Sequence, residues 1–140
     1  MKKFELTSDF KMFLGRKLFQ IRALIDIEKY GVKAGDLGGW IEKEENLDQN
    51  GNAWVYGNAR VSGNAFLKSC ADILYITGLG TVHRTTTAFR CENGEIKIVC
   101  GCFFGNIEAF KKQVISTRTG KVKDEYLKFA ELIEIYFRGE

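Results

Sequence analysis

Hydrophobic and polar positions recur with a period of six between Gly51 and Leu74, which reads Gly-Asn-Ala-Trp-Val-Tyr, Gly-Asn-Ala-Arg-Val-Ser, Gly-Asn-Ala-Phe-Leu-Lys, Ser-Cys-Ala-Asp-Ile-Leu. An aliphatic stands at Val55, Val61, Leu67 and Ile73, with an alanine two places before each, at Ala53, Ala59, Ala65 and Ala71. An amphipathic helix repeats at about 3.6 residues and a half-buried strand at two, so neither produces this spacing. A left-handed β-helix does. Each hexapeptide is then a short strand and a corner, the aliphatics stack inside, and Gly-Asn supplies the permissive backbone of the corner. About three hexapeptides make one coil of that architecture, so the segment predicts little more than a single coil, which its flanks must cover. Trp54, Tyr56, Arg60, Ser62, Phe66 and Lys68, beside the inward aliphatics, are expected to point outward.

The flanks carry other periods. Phe4-Glu-Leu and Leu18 to Ile25 alternate in the manner of strands around a turn at Gly15, predicting an N-terminal cap. Gly31 to Ile41 leads into the repeats. Beyond Gly78-Leu-Gly80, Arg84 to Cys91 and Glu95 to Gly101 flank Asn93-Gly94, a strong short hairpin signal. With a two-residue turn, Cys91 faces Ile96 and Thr87 faces Cys100. Phe89, Cys91, Ile96, Ile98 and Cys100 then share a core face, leaving Arg84, Thr86, Ala88, Arg90, Lys97, Val99 and Gly101 on the other. Asn106 caps a helix from Ile107 to about Ser116, with Ile107, Phe110 and Val114 on one side. A second helix, apolar on more than one face, runs from Asp124 to Phe137. The expected fold is α+β: N-terminal strands and a short β-helix over residues 1–80, then a β-hairpin and two helices over residues 81–140.

Composition narrows the partners. The chain has 140 residues, 45% of them hydrophobic, enough for a real core, and a net charge of +3 without any long Lys/Arg run. This mild excess permits anionic ligands without implying nucleic acid. No stretch approaches the ~18 apolar residues of a membrane span, and the N-terminus has no hydrophobic signal core, so a cytoplasmic protein is expected. Four cysteines in that compartment read as thiols. Zinc bound by Cys91, Cys100, Cys102 and His83 is the sharper alternative. In the register above the sulfurs of Cys91 and Cys100 lie about 13 Å apart at ~3.3 Å per residue, too far for one ion, so buried structural thiols are expected and no metal or cofactor.

The hairpin supplies the candidate chemistry. Arg84-Thr85-Thr86-Thr87, Arg90 and Lys97 combine cationic and hydroxyl donors, and Gly101-Cys102-Phe103-Phe104-Gly105 turns the chain toward a helix N-terminus. Arginine binds phosphate as a bidentate fork, and backbone N–H groups in a Gly-flanked turn face an anion. An aromatic such as Trp54 or Phe104 would stack a base. The structural alternative is that the threonines are strand formers and the arginines a solvated face. Catalysis has less support: the single His83 has no serine or cysteine partner in motif context, and Asp36, Glu44 and Glu45 lie in loop-like sequence.

Lys17-Leu-Phe-Gln-Ile-Arg-Ala-Leu24, Val32-Lys-Ala-Gly-Asp-Leu-Gly-Gly-Trp-Ile41 and the Gly-Asn-Ala repeats resemble phage and prophage proteins with pseudo-hexapeptide repeats. The Arg84-Thr-Thr-Thr and Cys100-Gly-Cys-Phe segment resembles a C-terminal module of similar proteins. The resemblance implies a bacteriophage origin, hence the cytoplasm of a bacterial host, and supplies no active-site residues. Hexapeptide-repeat acyltransferases build their acyl-donor groove from many coils, which one coil does not provide.

The expected function is therefore non-enzymatic: counter-defence by binding and sequestering a host nucleotide-derived immune signal. Arg84, Thr85, Thr86, Thr87, Arg90, Lys97, Gly101, Cys102, Phe104, Gly105 and Trp54 would form its site. The alternative is a protein–protein inhibitor of a host defence enzyme or CRISPR effector. Open coil ends and the apolar last helix predict a homo-oligomer.

Overall fold

The computed structural model of the protein describes residues 2–139. β1 (Phe4–Phe13) and β2 (Arg16–Ala23) form a hairpin, β3 (Leu37–Ile41) pairs antiparallel with β2, and β4 (Arg60–Val61) pairs parallel with β3. These make one four-stranded sheet in the order β1-β2-β3-β4. A second sheet, all antiparallel, runs β5 (Ile73–Leu79), β6 (Arg84–Arg90), β7 (Ile96–Cys100), β8 (Phe103–Gly105). Two helices follow, α1 (Ile107–Thr117) and α2 (Gly120–Tyr136). The class is α+β.

The left-handed β-helix does not form. Between Gly51 and Leu74 the strand pairing ahead of β5 is the two-residue β4 and single bridges, Leu47 with Leu67 and Ala65 with Cys91. A solenoid needs each hexapeptide hydrogen-bonded to a coil above and below. Here Trp40-Ile41 and Leu47 supply one layer of parallel neighbours, and the next neighbour is the antiparallel β1–β2 hairpin. Val55, Val61 and Leu67 are fully buried with Ala53, Ala59 and Ala65, so the six-residue spacing marks burial without stacked coils. Glycine permits the corners at Gly51, Gly57 and Gly63, which sit at φ 75°, 53° and 64°. The fourth repeat departs, with Ala71 exposed. Trp54 and Ser62, expected outside, are only 2% and 1% exposed.

The second sheet is the middle layer of the molecule. The hairpin register is one residue away from the expected one: Thr86 faces Cys100, Ala88 faces Ile98 and Phe89 faces Lys97. Its loop holds three residues, Glu92 to Gly94, closed by the Cys91 N–H donating to the Glu95 carbonyl at 2.8 Å, with Gly94 at φ 88°. A one-residue slip exchanges every face of the shifted strand. Ala88, Ile98, Ile96 and Cys100 therefore pack under the helices with Phe110, Val114, Tyr126, Phe129 and Ile133. Phe89, Val99 and Ile73 pack against the first sheet. The sheet boundary falls before Ile73, since β5 pairs with β6.

The first helix starts at Asn106, whose Oδ1 accepts from the Ala109 N–H at 2.8 Å. α2 begins at Gly120, four residues before the expected Asp124. Among the described residues, no helix is long and apolar enough to cross a membrane.

Candidate functional site

Where β6 starts and β7 turns into β8, the sheet end meets the facing ends of the two helices. Cys100 pairs with Phe103, so Gly101-Cys102 is a tight turn, and Gly101 takes φ 59° there. A Cβ at Gly101 would fall on the Arg84 guanidinium, which lies across this turn. Glycine is required twice over, for the positive φ and for the arginine's position. Behind it, Arg60 donates from Nη2 to the Gly101 carbonyl at 3.1 Å, with its guanidinium 5.0 Å from the centre of the Phe13 ring. Burial lowers the Arg60 pKa, the Cys100 and Cys102 thiols oppose that, and the neighbouring Arg84 charge adds to it.

The result is a pocket of about 520 Å³ whose lining includes Arg84, Cys102, Phe104, Gln113, Arg118 and Tyr126, with Leu14 at its edge. Helix spacing explains the α1 side: Phe110 and Val114 point to the core, and Gln113 and Thr117 lie three and seven residues on from Phe110, on the flank of that face. Arg118 follows at the helix end. Among the described residues, no aspartate, glutamate or histidine lines the pocket. Neither Arg84 nor Arg118 forms an ion pair among the described residues. Tyr126 Oη donates to the Leu79 carbonyl at 3.4 Å. Burial, reinforced by the Cys100 thiol, pushes the Tyr126 pKa up to about 12, so it is a neutral phenol at physiological pH. Two permanent cations, the Gln113 carboxamide and the Phe103 ring equip the pocket for an anion with an apolar part, while the Thr117 and Tyr126 hydroxyls already donate to the Gln113 and Leu79 carbonyls.

Arg84, Gly101, Cys102 and Phe104 thus come together. The other residues read from the sequence do not join them. Thr85 bonds Thr77 at 2.7 Å between hydroxyls, Thr86 donates to Cys100 Sγ at 3.3 Å, and Thr87 Oγ1 accepts from the Arg60 N–H at 3.1 Å. All three are buried in the sandwich. Arg90 pairs with Asp72 at 3.0 Å beside the Phe137 ring. Lys97, on the opposite sheet face because of the register, pairs with Glu95 at 3.2 Å. Trp54 is in the first core, and Gly105 lets Phe103 and Ala109 approach the backbone.

The cysteines also differ from expectation: Cys91 alone is buried, Cys70 and Cys100 are half-buried and Cys102 is exposed. Among the described residues no three His, Cys, Asp or Glu side chains cluster as metal ligands. His83 sits at φ 52° with Nδ1 2.9 Å from the Gly78 carbonyl, outside the pocket. The sequence reading missed Gln113, Thr117, Arg118 and Tyr126. The i, i+4 spacing of Gln113 and Thr117 beside the apolar stripe was the available signal.

No protein-family model matches the chain. A stretch of 77 residues is 35% identical to the Escherichia coli (strain K12) protein YdcK, whose name is that of an uncharacterised acetyltransferase. The match covers 46% of this chain and 24% of YdcK, so the chain spans about a quarter of the relative it matches. No solved structure matches.

Proposed function

We propose that the protein binds and holds a phosphate-bearing, nucleotide-derived small molecule in the pocket between Arg84 and Arg118. In the phage setting implied by the sequence resemblance, this withdraws a host immune signal without consuming it. The observation behind this reading is that, among the described residues, two arginines without carboxylate partners line one pocket to which no acidic side chain contributes. The volume lies within the roughly 300–1,000 Å³ of small-ligand sites, and Phe103 offers a ring to a base.

Calorimetry of the full chain against nucleoside monophosphates, diphosphates and cyclic nucleotides tests the proposal. Binding of at least one is expected, weakened by at least about a hundredfold in the double variant Arg84→Ala/Arg118→Ala, since each lost charge-assisted hydrogen bond costs about 1.5–3 kcal/mol. No heat from any member, with folded protein, would overturn it. Recovery of the intact nucleotide after denaturation separates storage from turnover, the outcome that the name borne by YdcK makes worth measuring.

The second reading, inhibition by protein contact, draws on the exposed Leu132, Ile135 and Tyr136 along α2, which a homo-oligomer would equally bury. It predicts a stable complex with a host protein that is indifferent to the arginine substitutions.

A further inference from the structure

The turn between β1 and β2 holds a residue that hairpin chemistry does not account for. Phe13 pairs with Arg16, so Leu14-Gly15 is a two-residue turn, and both residues take positive φ, 49° and 79°. Such type I′ turns favour asparagine or glycine at the first position, because a branched side chain crowds the backbone there. Leu14 is also 57% exposed, so little packing in the free protein offsets its conformation. Exposed, apolar and conformationally disfavoured, it is a poor choice for a turn alone.

Its position supplies a reason. Leu14 lines the pocket of Arg84 and Arg118, and the other lining residues all come from the second sheet and the helices. The turn is anchored there by its neighbour: the Phe13 ring is 5% exposed and packs edge-on against Phe104 with centroids 6.2 Å apart. We infer that Leu14 is a ligand-contacting residue that covers the apolar part of a ligand whose anionic part the arginines hold. The ligand class is then a nucleoside phosphate, with its base between Leu14 and Phe103, in preference to inorganic phosphate or pyrophosphate. This rests on the anion-binding reading of the same pocket.

Leu14→Asn tests it, because Asn-Gly is the favoured type I′ pair. The melting temperature of the variant is expected to stay level or rise, while its affinity for the nucleoside diphosphate that the protein binds best falls roughly tenfold, as loss of a leucine contact implies. Its affinity for pyrophosphate should not change. Leu14→Gly should reproduce the pattern, and Leu14→Met should keep the affinity. Unchanged nucleotide affinity in Leu14→Asn would overturn the inference, as would a clear fall in melting temperature, since the leucine would then serve the fold. Equal affinity of the unsubstituted protein for pyrophosphate and nucleoside diphosphate would overturn it while leaving the anion site standing. Silence with both ligands would remove the anion site and the inference together.

Discussion

The pocket of Arg84 and Arg118 has a counterpart of nearly equal volume, about 500 Å³, among the loops beside the first sheet, lined by Glu44, Glu45, Asp48, Gln49 and Glu92 among others. The two differ in what their polar groups already do. In the acidic cleft, Gln49 accepts from the Lys3 and Phe4 N–H groups at 2.7 and 3.1 Å and donates to the Phe4 carbonyl at 3.1 Å. Glu44 takes the Lys2 ammonium at 3.0 Å, and Asp48 caps the Asn50 N–H. Such groups hold an irregular chain together, which explains their placement without a ligand. In the cationic pocket, the Arg84 and Arg118 side chains form no ion pair among the described residues. Cleft size does not discriminate between the two; the sign of the charge does, together with the structural bonds of Glu44, Asp48 and Gln49, although Glu45 and Glu92 form no ion pair among the described residues.

Removing Asn46 should have the largest effect of any change on the acidic side. This fully buried residue, beside Glu44 and Leu47 in the chain, uses all four hydrogen-bonding positions: Oδ1 accepts from the Glu42 and Lys43 N–H groups, and Nδ2 donates to the Gly63 and Ala65 carbonyls. Asn46→Ala leaves the Lys43 N–H and the Gly63 and Ala65 carbonyls without this partner, while the Glu42 N–H keeps the Val61 carbonyl at 3.1 Å, and is expected to cost on the order of 3 kcal/mol in urea denaturation. At low temperature, ligand affinity of the folded fraction should be intact. A loss below about 1 kcal/mol would break the contrast, because the acidic side would then not be structural.

Gly101→Ala is next in size and probes the cationic side. The positive φ alone costs a non-glycine residue about 1–2 kcal/mol, and the added methyl displaces the Arg84 guanidinium. Both stability and nucleotide affinity should fall. In Arg84→Ala/Gly101→Ala the steric part disappears, so the cycle should show a coupling of roughly 0.5 kcal/mol or more, whereas additivity would mean that the arginine does not need this turn.

The difference between the regions also decides what could be read from residues alone. The α1 cap at Asn106 and the core positions Phe110 and Val114 follow from local rules and stand as expected. The hairpin was recognisable at Asn93-Gly94, but its three-residue loop was not, and that single residue sent Lys97 to the opposite face from Arg84. Around Gly51–Leu74 the period reported which side chains are buried. It could not report that the covering layer is an antiparallel hairpin, because long-range pairing leaves no trace in a local repeat. Arg84 and Cys102 were visible as chemistry, whereas Arg118 and Leu14 reach the pocket only through tertiary packing.

The smallest expected effect separates engaged charges from free ones by pH. Glu42 is partly buried, which alone would raise its pKa, but the Gly63 N–H at 2.7 Å and Arg16 at 2.9 Å outweigh this and hold it below the ordinary glutamate range. A carboxylate with a lowered folded pKa stabilises the protein above its unfolded pKa, near 4.3, and that contribution is lost as pH falls through the folded value. Glu42→Gln should therefore be less stable than the parent at pH 7 by a few tenths of a kcal/mol, with the gap closing as pH drops below about 4, measured by thermal melts. The modest size follows from Arg16, whose side chain is 50% exposed and so screened by water. Arg84→Ala should show no such pH-dependent gap, because among the described residues the guanidinium pairs with no carboxylate whose titration could switch the interaction off. A closing gap in Arg84→Ala would reveal an acidic partner and return the cationic pocket to the same standing as the acidic cleft.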